Sequence, residues 1–191
     1  MLKKIKKDIN EAIVLKKKIG KFSKKITDSV NLIANTLMKD GRIFLCGNGG
    51  SAADAQHMAA ELMGGLISHT RKPIASIALT TDTSFITAWS NDSDYSTIFS
   101  RQIEGIGQEG DILVAISTSG NSKNIIKAIN IAKKKKLIII ILTGSNGGRI
   151  LNLGDIKICI PSNNTQRIQE GHLLAEHILC ELLEEKILNQ S

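Results

Sequence analysis

The stretch Ile43-Phe44-Leu45-Cys46-Gly47-Asn48-Gly49-Gly50-Ser51-Ala52-Ala53-Asp54-Ala55-Gln56-His57-Met58-Ala59-Ala60-Glu61 decides the fold. Four apolar residues, too few for a helix, enter a glycine turn that gives way to an alanine-rich helix. The same alternation recurs. Ile74 to Thr80 reads as a second strand, with helical segments around Ser84–Trp89 and Thr97–Ile106. Ile112 to Ile116 is a third, feeding the turn Ser117-Thr118-Ser119-Gly120-Asn121-Ser122 and a helix through Lys134. Leu137 to Thr143 and Ile156 to Ile160 complete the strands, and a terminal helix runs from about Thr165 to Ile187. The strands are continuous β-branched runs, which implies a parallel sheet buried on both faces. The fold class is therefore α/β: a three-layer sandwich around a five-stranded parallel sheet.

Ahead of this core, Ile5, Ile9, Ala12, Ile13, Leu15 and Ile19 follow helical spacing, as do Ile26, Val30, Ile33, Ala34 and Leu37. They predict two amphipathic helices with a break near Gly20. The second ends at Asp40-Gly41, where glycine is expected to take the left-handed cap conformation. No linker or low-complexity tract interrupts the chain, so residues 1–191 read as one domain, 1–40 a helical extension and 41–191 the core.

The 191 residues suffice for a core without disulfides. Aromatics make up 3%, so Ile, Leu, Val and Ala do most of the packing. Cys46, Cys159 and Cys180 lie in apolar runs with no Cys-x-x-Cys, as expected of reduced thiols in a cytoplasmic protein. The longest apolar run, Leu137 to Leu142, is too short to span a bilayer, and no membrane partner is expected. Ten lysines in the first 25 residues dominate the net charge of +7. Without interleaved aromatics for base stacking, they read as a solvated helix face rather than a specific nucleic-acid surface.

Parallel α/β sheets bind ligands at the carboxyl ends of their strands, where both turns lie. In the serine turn, Ser117, Ser119 and Ser122 are spaced to converge on one phosphate at a helix N-terminus; a plain turn with an N-cap is the simpler alternative. The glycine turn lacks the Gly-x-Gly-x-x-Gly spacing of a dinucleotide site, but allows backbone to approach a ligand closely. His57 and Glu61, four residues apart, lie side by side on one helix face. They are either an exposed surface pair or a shared acid–base or metal pair. On the terminal helix Gln169 and His177 lie about 80° apart around the axis and can face one site, whereas His172 lies about 140° from His177. His172 reads as a packing or interface residue. Two imidazoles, a carboxylate and an amide oxygen form a donor set that zinc could use. Asn91-Asp92 are candidates for sugar hydroxyls, and Asp82 and Thr83 for helix caps.

Taken together, Gly-Asn-Gly-Gly-Ser-Ala-Ala-Asp-Ala-Gln-His-x-Ala-Ala-Glu, Ala-Leu-Thr-Thr-Asp-Thr-Ser, Phe-Ser-Arg-Gln, Ile-Ser-Thr-Ser-Gly-Asn-Ser and Arg-Ile-Gln-Glu-x-His resemble the phosphoheptose isomerase family of the sugar isomerase (SIS) fold. The resemblance runs in order from Gly41 to Leu183. It implies interconversion of D-sedoheptulose 7-phosphate and D-glycero-D-manno-heptose 7-phosphate through an enediol, the first step toward activated heptose for surface glycans. It also implies a homotetramer packed partly through residues 1–40, and one zinc ion per subunit held by His57, Glu61, Gln169 and His177. By the same resemblance, Glu61 is the catalytic base and His177 the acid. The substrate contacts would be Asn48, Gly49, Gly50, Ser51, Glu61, Asn91, Asp92, Ser117, Thr118, Ser119, Ser122 and Gln169. Met58, Trp89-Ser90 and Gly171 depart from the usual family residues. The rival reading is a non-catalytic SIS-fold adaptor that binds a replication initiator protein; the complete set Glu61, Gln169 and His177 favours the enzyme.

Overall fold

A computed structural model describes residues 1–189. Two helices, α1 (Leu2–Ile19) and α2 (Ser23–Leu37), precede five strands alternating with five further helices. The strands are β1 (Ile43–Cys46), β2 (Ser76–Ala78), β3 (Ile112–Ser117), β4 (Ile138–Thr143) and β5 (Ile156–Cys159). Helix α3 (Gly50–Gly64) follows β1, α4 (Thr83–Asp92) and α5 (Ile98–Ile106) follow β2, and α6 (Lys123–Lys134) follows β3. Helix α7 (Thr165–Leu188) closes the described chain.

All strand pairs are parallel, in the order β2-β1-β3-β4-β5. Alternate side chains of each buried strand feed opposite layers. Ile43, Leu45, Ile112, Val114, Ile116, Ile140 and Leu142 join the core packed by α1, α2, α3 and α7. Phe44, Cys46, Leu113, Ala115, Ile139 and Ile141 join the core under α5 and α6. This is the three-layer sandwich that the β-branched runs imply. Strand order reverses direction between β1 and β3, where neighbouring connections leave toward opposite sides of the sheet. That switch point opens a crevice between the glycine and serine turns.

One local reading holds and one changes. The break expected near Gly20 is a 3₁₀ turn over Gly20–Phe22 that separates α1 from α2, with Gly20 itself at right-handed helical angles. After α2 the left-handed residue is Asp40, at φ 57°, and not Gly41. Aspartate tolerates that conformation. Gly41 is required for space instead, since a Cβ there would meet the Thr36 side chain and lie 3.0 Å from its carbonyl oxygen. Gly171 likewise seats α7 against the end of the sheet: a Cβ would lie 2.7 Å from the Ile160 Cγ2.

A buried ion pair fastens α3 to α7. Glu184 on α7 accepts the backbone N–H groups of Leu66 and Ile67 at 2.9 Å each, and that of Ser68. It also accepts Arg71 Nε at 2.9 Å, and both side chains are buried. Arg71 in turn donates to the Glu61 and Leu62 carbonyl oxygens near the end of α3. Cys46 and Cys180 are buried and Cys159 half-buried, all as free thiols; burial pushes their pKa values up. No helix among the described residues is long and apolar enough to cross a membrane.

Candidate active site

Helices α3 and α7 lie side by side, and each carries part of one polar cluster. His57 Nε2 is 2.9 Å from Glu61 Oε1, which lies 3.3 Å from His177 Nε2. The two imidazole nitrogens are 2.9 Å from each other. The i, i+4 spacing on α3 places the first pair side by side, and the docking of α7 brings His177 to them. The histidines are about half exposed, while the Glu61 side chain is 11% exposed. Three lone-pair atoms pointing at one another repel unless a proton or cation lies among them. The donor atoms of His57, Glu61 and His177 all lie within 4.8 Å of one another and could hold a metal ion. Two imidazoles and one carboxylate supply three of the four donors of a tetrahedral site.

A buried acidic layer lies behind this cluster. Glu176 is 1% exposed and neither of its carboxylate oxygens has a hydrogen-bond partner. Burial, reinforced by Asp54 and Glu61, pushes its carboxyl up to about 8. Asp54 is raised to about 6 by burial, against the lowering pull of His57. Glu61 Oε2 is also buried and unpartnered, so Oε1 is the oxygen that faces the cluster.

Gln169 lies at the other end of the same helix contact, half-buried against the start of α3. A Cβ at Gly50 would meet the Gln169 amide, 2.7 Å from its Cδ, so that side chain lies directly against the bare Gly50 backbone. Ser51 is buried at the first turn of α3 and makes no capping bond. Gly49, before it, has φ 58°, a conformation that L side chains rarely adopt.

Across the switch point, Ser117 Oγ and Ser122 Oγ are 3.3 Å apart. Of the three serines expected to converge, these two do. Ser119 turns its hydroxyl to the Asn121 N–H, 3.2 Å away, and Thr118 accepts the Gly144 N–H through its carbonyl oxygen. Asn91 and Asp92 bond to each other at 2.7 Å at the exposed end of α4. Asp82 caps α4 through the Phe85 N–H, as expected. His172 is fully buried with Nε2 3.2 Å from the Thr143 carbonyl oxygen, and burial lowers its pKa to about 4; it is a packing residue.

Sequence reasoning passed over Asp54, Glu176, Arg71, Glu184, Tyr95 and Asn124. The signal for Glu176 and Glu184 was a carboxylate in the i, i+4 row His172, Glu176, Cys180 and Glu184 on the buried side of α7.

Comparison with known proteins gives the family. The SIS domain family profile matches residues 9–144. A phosphoheptose isomerase of Sulfurimonas denitrificans is 47% identical over 190 residues, 98% of this chain and 97% of its own. One from Aromatoleum aromaticum is 50% identical over 159 residues, 82% of this chain and 80% of its own. The solved structure of phosphoheptose isomerase GmhA from Neisseria gonorrhoeae superposes with a TM-score of 0.91 at 40% identity, covering 96% of this chain and 98% of that one. The likeness in sequence and fold runs along nearly the whole length, beyond the profile-matched residues. This chain belongs to the phosphoheptose isomerase family of SIS-domain proteins.

Proposed function

We propose that the protein is a ketose–aldose isomerase that converts D-sedoheptulose 7-phosphate to D-glycero-D-manno-heptose 7-phosphate, at the start of activated heptose synthesis. The observation that carries this reading is the convergence of His57, Glu61 and His177 from two helices beside the switch-point crevice. The reaction moves a proton from C1 to C2 through an enediol, which needs a base at carbon and an acid at oxygen. Glu61 takes the C1 proton at Oε1 and delivers a proton to C2, while His177 Nε2 gives a proton to the C2 oxygen and takes one from the C1 oxygen. A zinc ion bound by His57, Glu61 and His177, with Gln169 as the fourth donor, would polarise the carbonyl. Ligation and proton abstraction draw on the same Glu61 oxygen, so Glu61 alternates between the two roles.

The serine turn holds the phosphate. Ser117 and Ser122 hydroxyls face each other there, and the amides of the α6 start add partial positive charge. Asn48, Gly49, Gly50 and Ser51 form the opposite wall, Thr118 and Ser119 extend the phosphate side, and Gln169, Asn91 and Asp92 contact the sugar. Replacing Ser119 and Ser122 together by alanine is expected to raise KM roughly 10- to 100-fold, the loss of hydrogen bonds to a charged group. kcat should stay within a few-fold; an unchanged KM would move the phosphate elsewhere.

We read residues 1–191 as one SIS domain assembling as a homotetramer, with 1–40 in its interfaces. Leu2, Ile5, Ile9, Ile13 and Val14 form an exposed apolar stripe on α1, and α4 has no buried residue. Nothing observed favours the adaptor reading.

The deciding experiment is turnover of sedoheptulose 7-phosphate in deuterated buffer, after chelation and again after zinc is restored. Zinc-dependent formation of the aldose phosphate with deuterium at C2 is expected. A folded, zinc-loaded protein that gives neither product nor exchange would overturn the reading.

A further inference from the structure

Asn48, in the glycine turn, and Asn124, in the first turn of α6, stand on opposite sides of the crevice and are joined by a reciprocal amide pair. Asn48 Nδ2 donates to Asn124 Oδ1 at 2.9 Å, and Asn124 Nδ2 donates to Asn48 Oδ1 at 2.7 Å. Tyr95, in the 3₁₀ turn Tyr95–Thr97 before α5, donates its hydroxyl to the same Asn48 Oδ1 at 3.0 Å. Asn124 is 3% exposed, buried enough for its bonds to matter.

The orientation of the whole set follows from one backbone group. The Ile125 N–H lies 3.0 Å from Asn124 Oδ1. A backbone N–H can only donate, so that end of the Asn124 amide is the oxygen. The end of Asn48 facing that oxygen is then its nitrogen, and the Asn48 oxygen faces two donors. Turning the Asn48 amide over would set oxygen against oxygen and nitrogen against nitrogen. The Asn48 carbonyl is saturated, while Nδ2 has given one of its two hydrogens and retains the other.

We propose that Asn124 and Tyr95 are positioning residues that fix Asn48 as an N–H donor to an acceptor oxygen of the sugar phosphate, and that they tie the glycine turn to the start of α6. The inference rests on the isomerase reading for the identity of that ligand. It does not rest on it for the orientation of the amide. The wall of the crevice formed by the glycine turn therefore selects for an acceptor, a phosphoryl or a sugar oxygen, and against a donor.

Asn124→Asp is nearly isosteric but offers only acceptors, so Asn48 loses its donor partner and its fixed orientation. It is expected to raise KM about 10- to 100-fold with kcat within about three-fold, the loss of one charged-group hydrogen bond and its partner. Tyr95→Phe, at a half-exposed side chain that folding does not depend on, should raise KM about three- to ten-fold in the same pattern. Competitive inhibition by inorganic phosphate separates the two oxygen sources. A parallel rise in its Ki assigns the acceptor to the phosphoryl group, and an unchanged Ki assigns it to the sugar. Unchanged KM in folded Asn124→Asp and Tyr95→Phe, or a fall in kcat alone, would overturn the proposal.

A ligand-free arm keeps this test apart from that of the reaction. In the side-chain amide of Asn48, one proton should exchange slowly with solvent and the other fast. The difference should vanish in Asn124→Ala, which removes the oxygen that the Asn48 amide donates to. Two equally fast protons in the unaltered protein would overturn the proposal whatever the enzyme turns over. Inequivalent protons in a protein without turnover would uphold the tie and reject the isomerase reading instead.

Discussion

Replacing Glu61 by Gln is expected to reduce turnover about 10²- to 10⁴-fold, the usual worth of a positioned general base, while leaving the protein folded. The substitution keeps the shape of the side chain and removes its charge. Its effect on stability should be small or favourable. Glu61 Oε2 is buried without a hydrogen-bond partner, beside the equally unpartnered Glu176, so the native carboxylate carries an electrostatic cost that the amide relieves. An unchanged or raised melting temperature with lost turnover is the expected pair of results. Zinc content per chain, measured on both proteins after the same dialysis, separates the two roles of Oε1. A zinc-loaded, inactive Gln variant identifies the lost function as proton transfer, whereas a zinc-free one identifies it as ligation. Turnover close to that of the unaltered protein would remove Glu61 from the mechanism.

The second large effect concerns stability. Glu184→Gln is expected to cost about 3–5 kcal/mol, because it leaves the Arg71 guanidinium buried without its counter-charge. Against a total of about 5–15 kcal/mol for a typical domain, that is a large share. Denaturant titration of both proteins reads the difference directly; a change below about 1 kcal/mol would show the pair to be inessential. The pH dependence has a definite sign. Burial works to raise the Glu184 carboxyl, but the N–H groups of residues 66–68 and the Arg71 guanidinium outweigh it and hold it at about 2, below the ordinary 4.5. A depressed carboxyl contributes stability that is present above its unfolded pKa and lost as pH falls through its folded one. The gap between the native protein and the Gln variant should therefore be full above pH 4.5 and narrow as pH falls toward about 2. Taking the difference between the two proteins cancels the oppositely shifted Glu176 and Asp54.

The central strands were legible because a strand buried on both faces must be continuously apolar. The edge strand β5 carries Lys157 and was read from its remaining Ile and Cys residues. Ile112 to Ile116 and Ile156 to Ile160 were placed within one residue of their observed ends. The pairing of His57 with Glu61 was legible for the same kind of reason, since helix geometry alone makes positions four apart neighbours. Asn124 was not legible: a polar residue near the start of a helix reads as a cap, and its partner is 76 residues away. Arg71 and Glu184 were hidden likewise, because burial of an ion pair depends on what packs over it. The end of α2 misled for a local reason. Asp40 and Gly41 both suit a turn, and sequence cannot say which takes the left-handed angles and which is needed for space.

His57 and His177 touch across a separation of 120 residues. A ribosome adding about 5–20 residues per second needs roughly 6–24 s to cover that distance. Through that interval the nascent chain owns an α3 with its imidazole and carboxylate, but no second imidazole to close the set. Completion waits for α7, the last helix, to emerge and fasten itself down through Glu184. The chemistry of this protein is thus withheld until α7 has been made, and a truncated copy that reaches only the end of the sheet lacks His177.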